Sequence, residues 1–406
     1  MKNVEKVLFL GGLFPKETEK EIVDHSIGSV QNAANVLQWN LVRGLDENLP
    51  VPVKILNSLY IGSWPQRYKK AVIPSYEFSH APGAKDRNVG FWNITFFKQL
   101  FRSSTLSRAV KRELAAEPNQ SSAVIAYAMT RPMLRALRAA KRCDPRVTTC
   151  LVIPDLPEFM NAGTKRSVLE RFLKARDMKT QRRDLAFVDC LVVLTEPMME
   201  KLPAKPYVVM EGIAGAVPAD EVLPRREKTV VYTGGLNASY GVVDLVEAFR
   251  AIPDPDYRLI LCGAGDAVDT IRRAAEEDPR IDFRGLVPHG EIRAIQQSAA
   301  VLVNPRTPAG EFTRYSFPSK NLEYMASGTP TVAHRLPGIP SEYEGHLVFI
   351  PEPTVASLKE TIMKVCSLSP EESLLLGERA KTFVSREKNA ARQAQKILDL
   401  MRSVSQ

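Results

Sequence analysis

This 406-residue chain lacks metal-ligand clusters, long apolar runs and any regular cysteine pattern. No stretch reaches the roughly 18 apolar residues of a membrane-spanning helix, so none is expected. The apolar part of Met1–Gly12 is too short for a signal-peptide core and reads as a first strand entering a glycine turn. The five cysteines are odd in number and lack zinc-type spacing. The nearest pair, Cys143 and Cys150, is expected to be buried thiols, and the expected compartment is the cytosol. The five histidines, His25, His80, His289, His334 and His346, are scattered and form no recognisable catalytic triad. Asp254-Pro-Asp256 has the form of an acidic metal motif. Its proline instead predicts a turn into the next strand, and no metal ion is expected. No zinc-finger, RNA-recognition or helix-turn-helix signature occurs, so no nucleic-acid partner is expected.

What is present is a globular composition: 44% hydrophobic and 25% charged residues. The length suits two domains. The net charge of +9 is uneven. Residues 1–212 carry roughly 32 basic against 21 acidic side chains, and the excess peaks between Lys54 and Arg146. A basic half points to an anionic partner, such as a phospholipid surface or a diphosphate-linked lipid.

Short runs rich in β-branched residues predict strands at Val4–Leu10, Val53–Leu56, Ala123–Tyr127, Thr148–Ile153, Cys190–Leu194 and Tyr207–Met210. Helical patterns fall at Val30–Arg43, Arg131–Arg142, Lys165–Ala186 and Glu196–Leu202. In the second half, strands at Thr229–Thr233, Arg258–Cys262, Ile281–Arg284, Ala300–Asn304, Thr331–Ala333 and Leu347–Ile350 alternate with helices. The fold class is therefore α/β, with two doubly wound sheets in tandem. Glu211–Arg226, rich in glycine, proline and charge, marks a linker, and Pro370–Gln406 reads as one long charged helical segment. The expected domains are 1–212, joined by about 385–406, and 213–384. Gly90–Leu114 mixes aromatic and basic residues. It reads either as a core helix with a solvated basic face or as a helix lying in a membrane interface.

The most informative stretch is Ser316–Gly328. A small, basic turn, Ser316-Phe-Pro-Ser-Lys320, opens a helix that carries Glu323 one turn in. A helix start with a lysine suits a phosphate, and a carboxylate a turn deeper suits sugar hydroxyls. The competing reading is an ordinary amphipathic helix with Leu322, Tyr324 and Met325 packed inward. Arg306, Arg314 and Lys320 place three bases in one strand-to-helix connection. Gly11-Gly12 follows the first strand, and Gln31 and Asn32 open the next helix as candidate sugar contacts, although a capping role explains Ser29 equally. Asp155, between two prolines at a strand end, reads as an acceptor-side base or as a turn-stabilising aspartate. Leu261-Cys-Gly-Ala-Gly-Asp266 is a fragment of a dinucleotide fingerprint, broken by Ala267-Val268-Asp269, so a dinucleotide is not supported.

The string F-P-S-K-x-x-E-Y-x-A-S-G, at Phe317–Gly328, resembles the donor-site signature of glycosyltransferase family 4 in its capsule and exopolysaccharide variant. D-L-P at Asp155–Pro157 recurs in the same transferases, and Tyr232–Gly241 matches the family's first C-terminal strand and loop. The resemblance implies a GT-B fold, with two Rossmann-like domains facing a cleft and a C-terminal helix returning to the N-terminal domain. It implies transfer with retention from a nucleoside-diphosphate sugar, without cofactor or metal. Arg306 and Lys320 would stabilise the leaving group, Glu323 would hold the ribose, and Asp155 would serve the acceptor. Ser316, Phe317, Arg314, Gly234, Gly235, Gly263, Gly265 and Leu286 would surround the donor, and Gly11, Gly12, Gln31 and Asn32 the acceptor. The family's loop Arg and Lys are replaced here by Gly235 and Tyr240. Tyr315 stands where the first glutamate of its E-x7-E pair belongs, with Glu311 as a nearby substitute. The implied acceptor is a glycan or polyprenyl-diphosphate-linked glycan, met in the cytoplasm at the inner face of the membrane. The rival expectations are a nucleotide-sugar epimerase and a non-catalytic partner of a transferase complex.

Overall fold

The computed structural model describes residues 6–28, 30–118, 120–158, 180–215 and 226–405. Ser29, most of the expected helix at 165–186 and the centre of the expected linker, 216–225, lie outside the described residues. The chain divides into two units, Met1–Met210 with Ala390–Gln406, and Glu211–Asn389.

The first unit is built on an eight-stranded sheet. From edge to edge it runs Tyr207–Val209, Cys190–Val193, Thr148–Ile153, Ser122–Tyr127, Lys6–Gly11, Lys54–Asn57, Asp86–Asn88 and Tyr76–Phe78. Neighbours are parallel except the last pair. Strands covered on both faces have no polar side to show. Ser122–Tyr127 and Thr148–Ile153 are accordingly buried at every position. The helix Ala390–Val404 packs on the helix Asn32–Asn48 at Gly44, where a β-carbon would stand 2.1 Å from the Ala390 carbonyl oxygen. Asn48 Nδ2 donates to the Ala391 carbonyl at 2.8 Å and secures the contact.

The second unit has a six-stranded parallel sheet in the order Ile281–Gly285, Arg258–Ala264, Thr229–Gly235, Val301–Asn304, Thr331–His334, Val348–Ile350. Numbered along the chain, this is the doubly wound order 3-2-1-4-5-6. Leu245 and Phe249 of the helix Val242–Arg250, with Leu358 and Ile362 of Val355–Cys366, close one face of this sheet over Val230, Leu259 and Val301. Among the described residues no helix is long and apolar enough to cross a membrane.

Four expectations are corrected. The C-terminal tail is two helices, Pro370–Glu387 and Ala390–Val404, because Lys388 leaves the helical run to enter a buried ion cluster. The Gly90–Leu114 segment begins as a strand, Phe91–Trp92, and its helix starts only at Lys98. Glu196–Lys201 is a 3-10 turn. Cys143 is exposed at a helix end, while Cys150 lies buried opposite Cys190 on the adjoining strand. Asp254 and Asp256 both accept from Lys228 Nζ, at 2.7 and 3.3 Å, and the Asp256 amide closes on Asp254 Oδ1. They form the turn that the proline predicts.

His80 does gather two acids, which its sequence neighbourhood hides. Nδ1 lies 2.6 Å from Asp86 and Nε2 lies 2.9 Å from Asp46. Asp86 and Asp46 also accept the Ile55 and Val53 amides, at the amino end of the strand Lys54–Asn57. Burial works against the imidazolium, but the hydrogen bonds and charges of Asp46 and Asp86 outweigh it and raise His80 to about 9. A raised base stabilises the fold fully below its unfolded value of about 6.5. That contribution disappears as pH climbs through the folded value. Unfolding free energy is expected to fall by on the order of 1–3 kcal/mol between about pH 6.5 and 9.5. Urea melts across that range check this, and His80→Gln should flatten the slope.

Candidate functional site

In a doubly wound sheet the carboxyl ends of the strands on either side of the first strand leave a crevice. In the second unit this is where Thr229–Gly235 meets Val301–Asn304. Gly234 holds φ at 147° and Gly263, on the adjoining strand, at 144°. A β-carbon on Gly263 would stand 1.7 Å from the Gly234 carbonyl oxygen, so no other residue fits there. A β-carbon on Gly265 would likewise stand 2.1 Å from the Leu236 carbonyl oxygen. Together these glycines keep the strand ends low and open.

Across that floor reaches Lys320, first residue of the helix Lys320–Ala326, with Cε 3.1 Å from the position of a Gly234 β-carbon. Its ammonium donates to Glu323 Oε2 at 2.8 Å, and both side chains are only half-buried. The other oxygen, Glu323 Oε1, accepts from Gln296 Nε2 at 2.7 Å. Gln296 is buried and also donates to Thr233 Oγ1 at 2.8 Å. Tyr324, on the buried face of the same helix, accepts from the Thr233 amide and donates to its carbonyl, at 2.8 and 2.9 Å. Burial drives its phenol well above the ordinary tyrosine value, so it stays neutral. Asn304 Nδ2 donates to Asn321 Oδ1 at 2.7 Å and ties the fourth strand to the helix.

Arg306 stands beside this group. Its Nη2 donates to Ser316 Oγ at 2.7 Å, which in turn donates to the Phe312 carbonyl at 2.9 Å. The guanidinium lies 5.6 Å from the Tyr240 ring centre and 4.8 Å from that of Phe312. A charge therefore stands against the glycine loop even though the loop itself carries Gly235 and Tyr240. Gly234, Gly235, Gly263, Gly265, Arg306, Ser316, Lys320 and Glu323 are thus brought to one strand edge. Glu311 and Arg314 lie exposed on the short helix Glu311–Arg314. Phe317 is buried, with its ring 5.3 Å from Tyr343, in the cluster that holds Met325. Leu286 projects from the loop after Ile281–Gly285, 82% exposed.

In the first unit the Gly11-Gly12 turn sits at the corresponding strand end. Its polar contacts come from one and two turns further along the helix than Gln31 and Asn32, which are exposed at the helix start. Gln38 Oε1 accepts from the Gly12 amide and Asn35 Oδ1 from the Phe14 amide, each at 2.8 Å. Asp155 is exposed just past Thr148–Ile153. Tyr324 is buried as the amphipathic reading expects, whereas Asn35, Gln38 and Gln296 escape the sequence patterns. The signal available was a buried amide on an otherwise apolar helix stripe.

The family model described as "Glycosyl transferases group 1" matches residues 227–367. D-inositol 3-phosphate glycosyltransferase of Corynebacterium glutamicum (strain R) is 33% identical over 129 residues, 29% of this chain and 29% of that protein. The match therefore spans less than a third of that relative. Among solved structures, the lipopolysaccharide outer core galactosyltransferase WaaB aligns with TM-score 0.63 at 13% identity, over 98% of this chain and 99% of that one. Sucrose-phosphate synthase from Thermosynechococcus elongatus aligns with TM-score 0.61 at 16% identity, over 98% and 99%. At such identities the likeness concerns the fold, and the fold is GT-B. Residues 227–367 thus match a glycosyltransferase group 1 model within a chain of two Rossmann-like units.

Proposed function

We propose that this chain is a retaining, metal-independent glycosyltransferase. It moves a sugar from a nucleoside-diphosphate sugar to a glycan or polyprenyl-diphosphate-linked glycan during bacterial exopolysaccharide or capsule synthesis. It works in the cytoplasm, at the inner face of the membrane. The observation that carries the reading is the convergence of Lys320, Glu323 and Arg306 on the glycine-floored edge of the second sheet. When the anomeric C–O bond to the diphosphate breaks, negative charge collects on the departing phosphate oxygens. Lys320 and Arg306 are the cations in place to take it up. Glu323, oriented by Gln296, is the acceptor for ribose hydroxyl protons. The acceptor oxygen bonds the anomeric carbon as the C–O bond to the diphosphate breaks, and its proton passes to the departing phosphate oxygen. Asp155 is assigned to the acceptor side, with Gly11, Gly12, Gln31 and Asn32, and Glu311 supports the donor side.

A silent partner in a transferase complex is the second reading, favoured by Gly235, Tyr240 and Tyr315 at positions where the family carries charge. Arg306 against the Tyr240 ring argues for a working site. Thermal melts with UDP, GDP, dTDP and ADP decide first. At a hundred times Kd, a bound diphosphate stabilises by about 2.7 kcal/mol, so one of the four should raise Tm by several degrees. Sugar transfer from the matching donor then separates an enzyme from a silent partner, and isomerisation of the donor alone would identify an epimerase. No shift with any nucleotide would overturn the donor site.

A further inference from the structure

The first unit exposes a run of large apolar side chains that its core does not require. The short strands Val72–Ile73 and Phe91–Trp92 pair antiparallel, Val72 opposite Trp92 and Ile73 opposite Phe91. Alternation sends one pair each way. Ile73 and Phe91 join a buried cluster with Phe14 and Leu59. Val72 and Trp92 face outward, and Trp92 is 54% exposed.

That outer face continues into the helix Lys98–Ala116, since the Trp92 ring lies 5.8 Å from the Phe101 ring. The helix buries Lys98, Arg102, Leu106, Val110 and Leu114, a stripe at steps of four. The opposite stripe begins with Phe97, Leu100 and Phe101 and continues through Arg108, Lys111 and Arg112, all exposed. Phe96, just before the helix, is 77% exposed, and Phe97 is 56%. Arg108 donates to Ser104 Oγ, one turn back on its own helix. None of the three bases is ion-paired among the described residues. Glu113, the one acid of this helix, pairs instead with Lys54 at 2.6 Å.

Contiguous exposed apolar surface of this kind marks an interaction site. The ordering along one helix face, rings first and cations two turns on, matches a headgroup boundary, where aromatics insert and bases meet phosphate. We propose that this face docks on an anionic lipid bilayer, with Trp92, Phe96, Phe97, Leu100 and Phe101 in the interface and Arg108, Lys111 and Arg112 over the lipid phosphates. A second copy meeting the same face would set the three cations against their own images. The proposal deepens the membrane placement in the proposed function but uses no donor chemistry. Its failure would remove that placement and leave sugar transfer from the donor standing, while failure of the donor site would leave the docking face standing.

Sedimentation of the full chain with phosphatidylcholine vesicles, with and without a quarter of phosphatidylglycerol, tests it at low salt. Wild type is expected to bind the anionic vesicles and only weakly the neutral ones. Arg108→Gln/Lys111→Gln/Arg112→Gln should weaken anionic binding by about a hundredfold, from a factor of about five per base. Phe96→Ser/Phe97→Ser/Leu100→Ser should lose binding to both. Both variants alter exposed positions only, and unchanged melting temperatures confirm that they fold. A blue shift of tryptophan emission on anionic vesicles, removed by Trp92→Phe, reports insertion directly. Four outcomes would overturn the proposal: no wild-type binding, equal binding to neutral and anionic vesicles, variants that bind like wild type, or a dimer that the serine variant dissolves.

Discussion

Replacing Lys388 by methionine is expected to lower the unfolding free energy of the second unit by about 3–5 kcal/mol. The ammonium is fully buried and donates to Glu211 Oε1 at 2.8 Å and to Glu342 Oε1 at 2.6 Å. Tyr343 and Phe383 present their rings to it at 5.1 and 5.5 Å. Its own carbonyl accepts from the Ala214 amide at 2.8 Å, so one residue anchors both ends of the second unit's chain. Methionine keeps the volume but strands the Glu211 carboxylate. Burial already holds that group above the usual carboxylate range while Lys388 pulls it down. Without Lys388 the main downward pull is gone, and a backbone hydrogen bond alone opposes burial and the neighbouring Glu342. Well below about pH 4.3, the ordinary glutamate value, the variant keeps Glu211 protonated both folded and unfolded. As pH rises the unfolded group ionises first, so the deficit against wild type must grow towards neutrality. Urea melts at about pH 5 and 7.5 read both effects, and Lys388→Met/Glu211→Gln should recover part of the loss. A deficit under about 1 kcal/mol at neutral pH would show that the cluster contributes nothing net.

The same cluster shows where sequence reasoning stops. Within Pro370–Gln406, Lys388 looks like any solvated base in a charged helix. Its partners come from 177 and 46 residues away, and no local pattern announces them. Lys98 and Arg102 fail in the same way. Their spacing of four places both on the buried stripe, but what allows burial is a distant loop. Lys98 Nζ donates to the Ile61 carbonyl, and Arg102 donates to Ser58 Oγ at 3.0 Å and to its carbonyl at 2.6 Å. Burial, with help from the Arg102 charge, brings the Lys98 ammonium down to about 7. The parallel strands were legible for the opposite reason. Thr148–Ile153 is buried on both faces, so its burial is written as an unbroken β-branched and apolar run. The site was legible in part. Gly234 and Gly263 advertise backbone that no side chain tolerates, whereas Gln296 works through two hydrogen bonds that span 63 and 27 residues. Near Gly12 the sequence pattern opens the helix at Val30, two residues before its start at Asn32. A shift of that size is enough to draw attention to Gln31 and Asn32 and away from Asn35 and Gln38.

Lys320→Ala is expected to weaken nucleoside-diphosphate binding by roughly tenfold to a hundredfold, the range of a lost hydrogen bond to a charged group. The more searching variant is Glu323→Gln, because the two side chains neutralise each other across their ion pair. A diphosphate entering the site must draw Lys320 off Glu323, across a 2.8 Å ion pair. A nucleotide compensates, since its ribose hydroxyls give Glu323 new donors. Inorganic pyrophosphate offers the carboxylate nothing. Glutamine can still accept from Gln296 through its oxygen, but it turns an amide N–H towards Lys320 and releases the ammonium. Pyrophosphate should then bind about two- to fivefold more tightly, the worth of a half-exposed ion pair. The nucleoside diphosphate should bind about tenfold more weakly, having lost a charged acceptor for its ribose. Calorimetric titration of wild type and both variants with each ligand reads the four changes. Opposite signs for the two ligands in Glu323→Gln are the signature of a lysine shared between carboxylate and phosphate. Parallel losses would mean that Glu323 merely shapes the helix, and the ribose role would pass to another residue of the site.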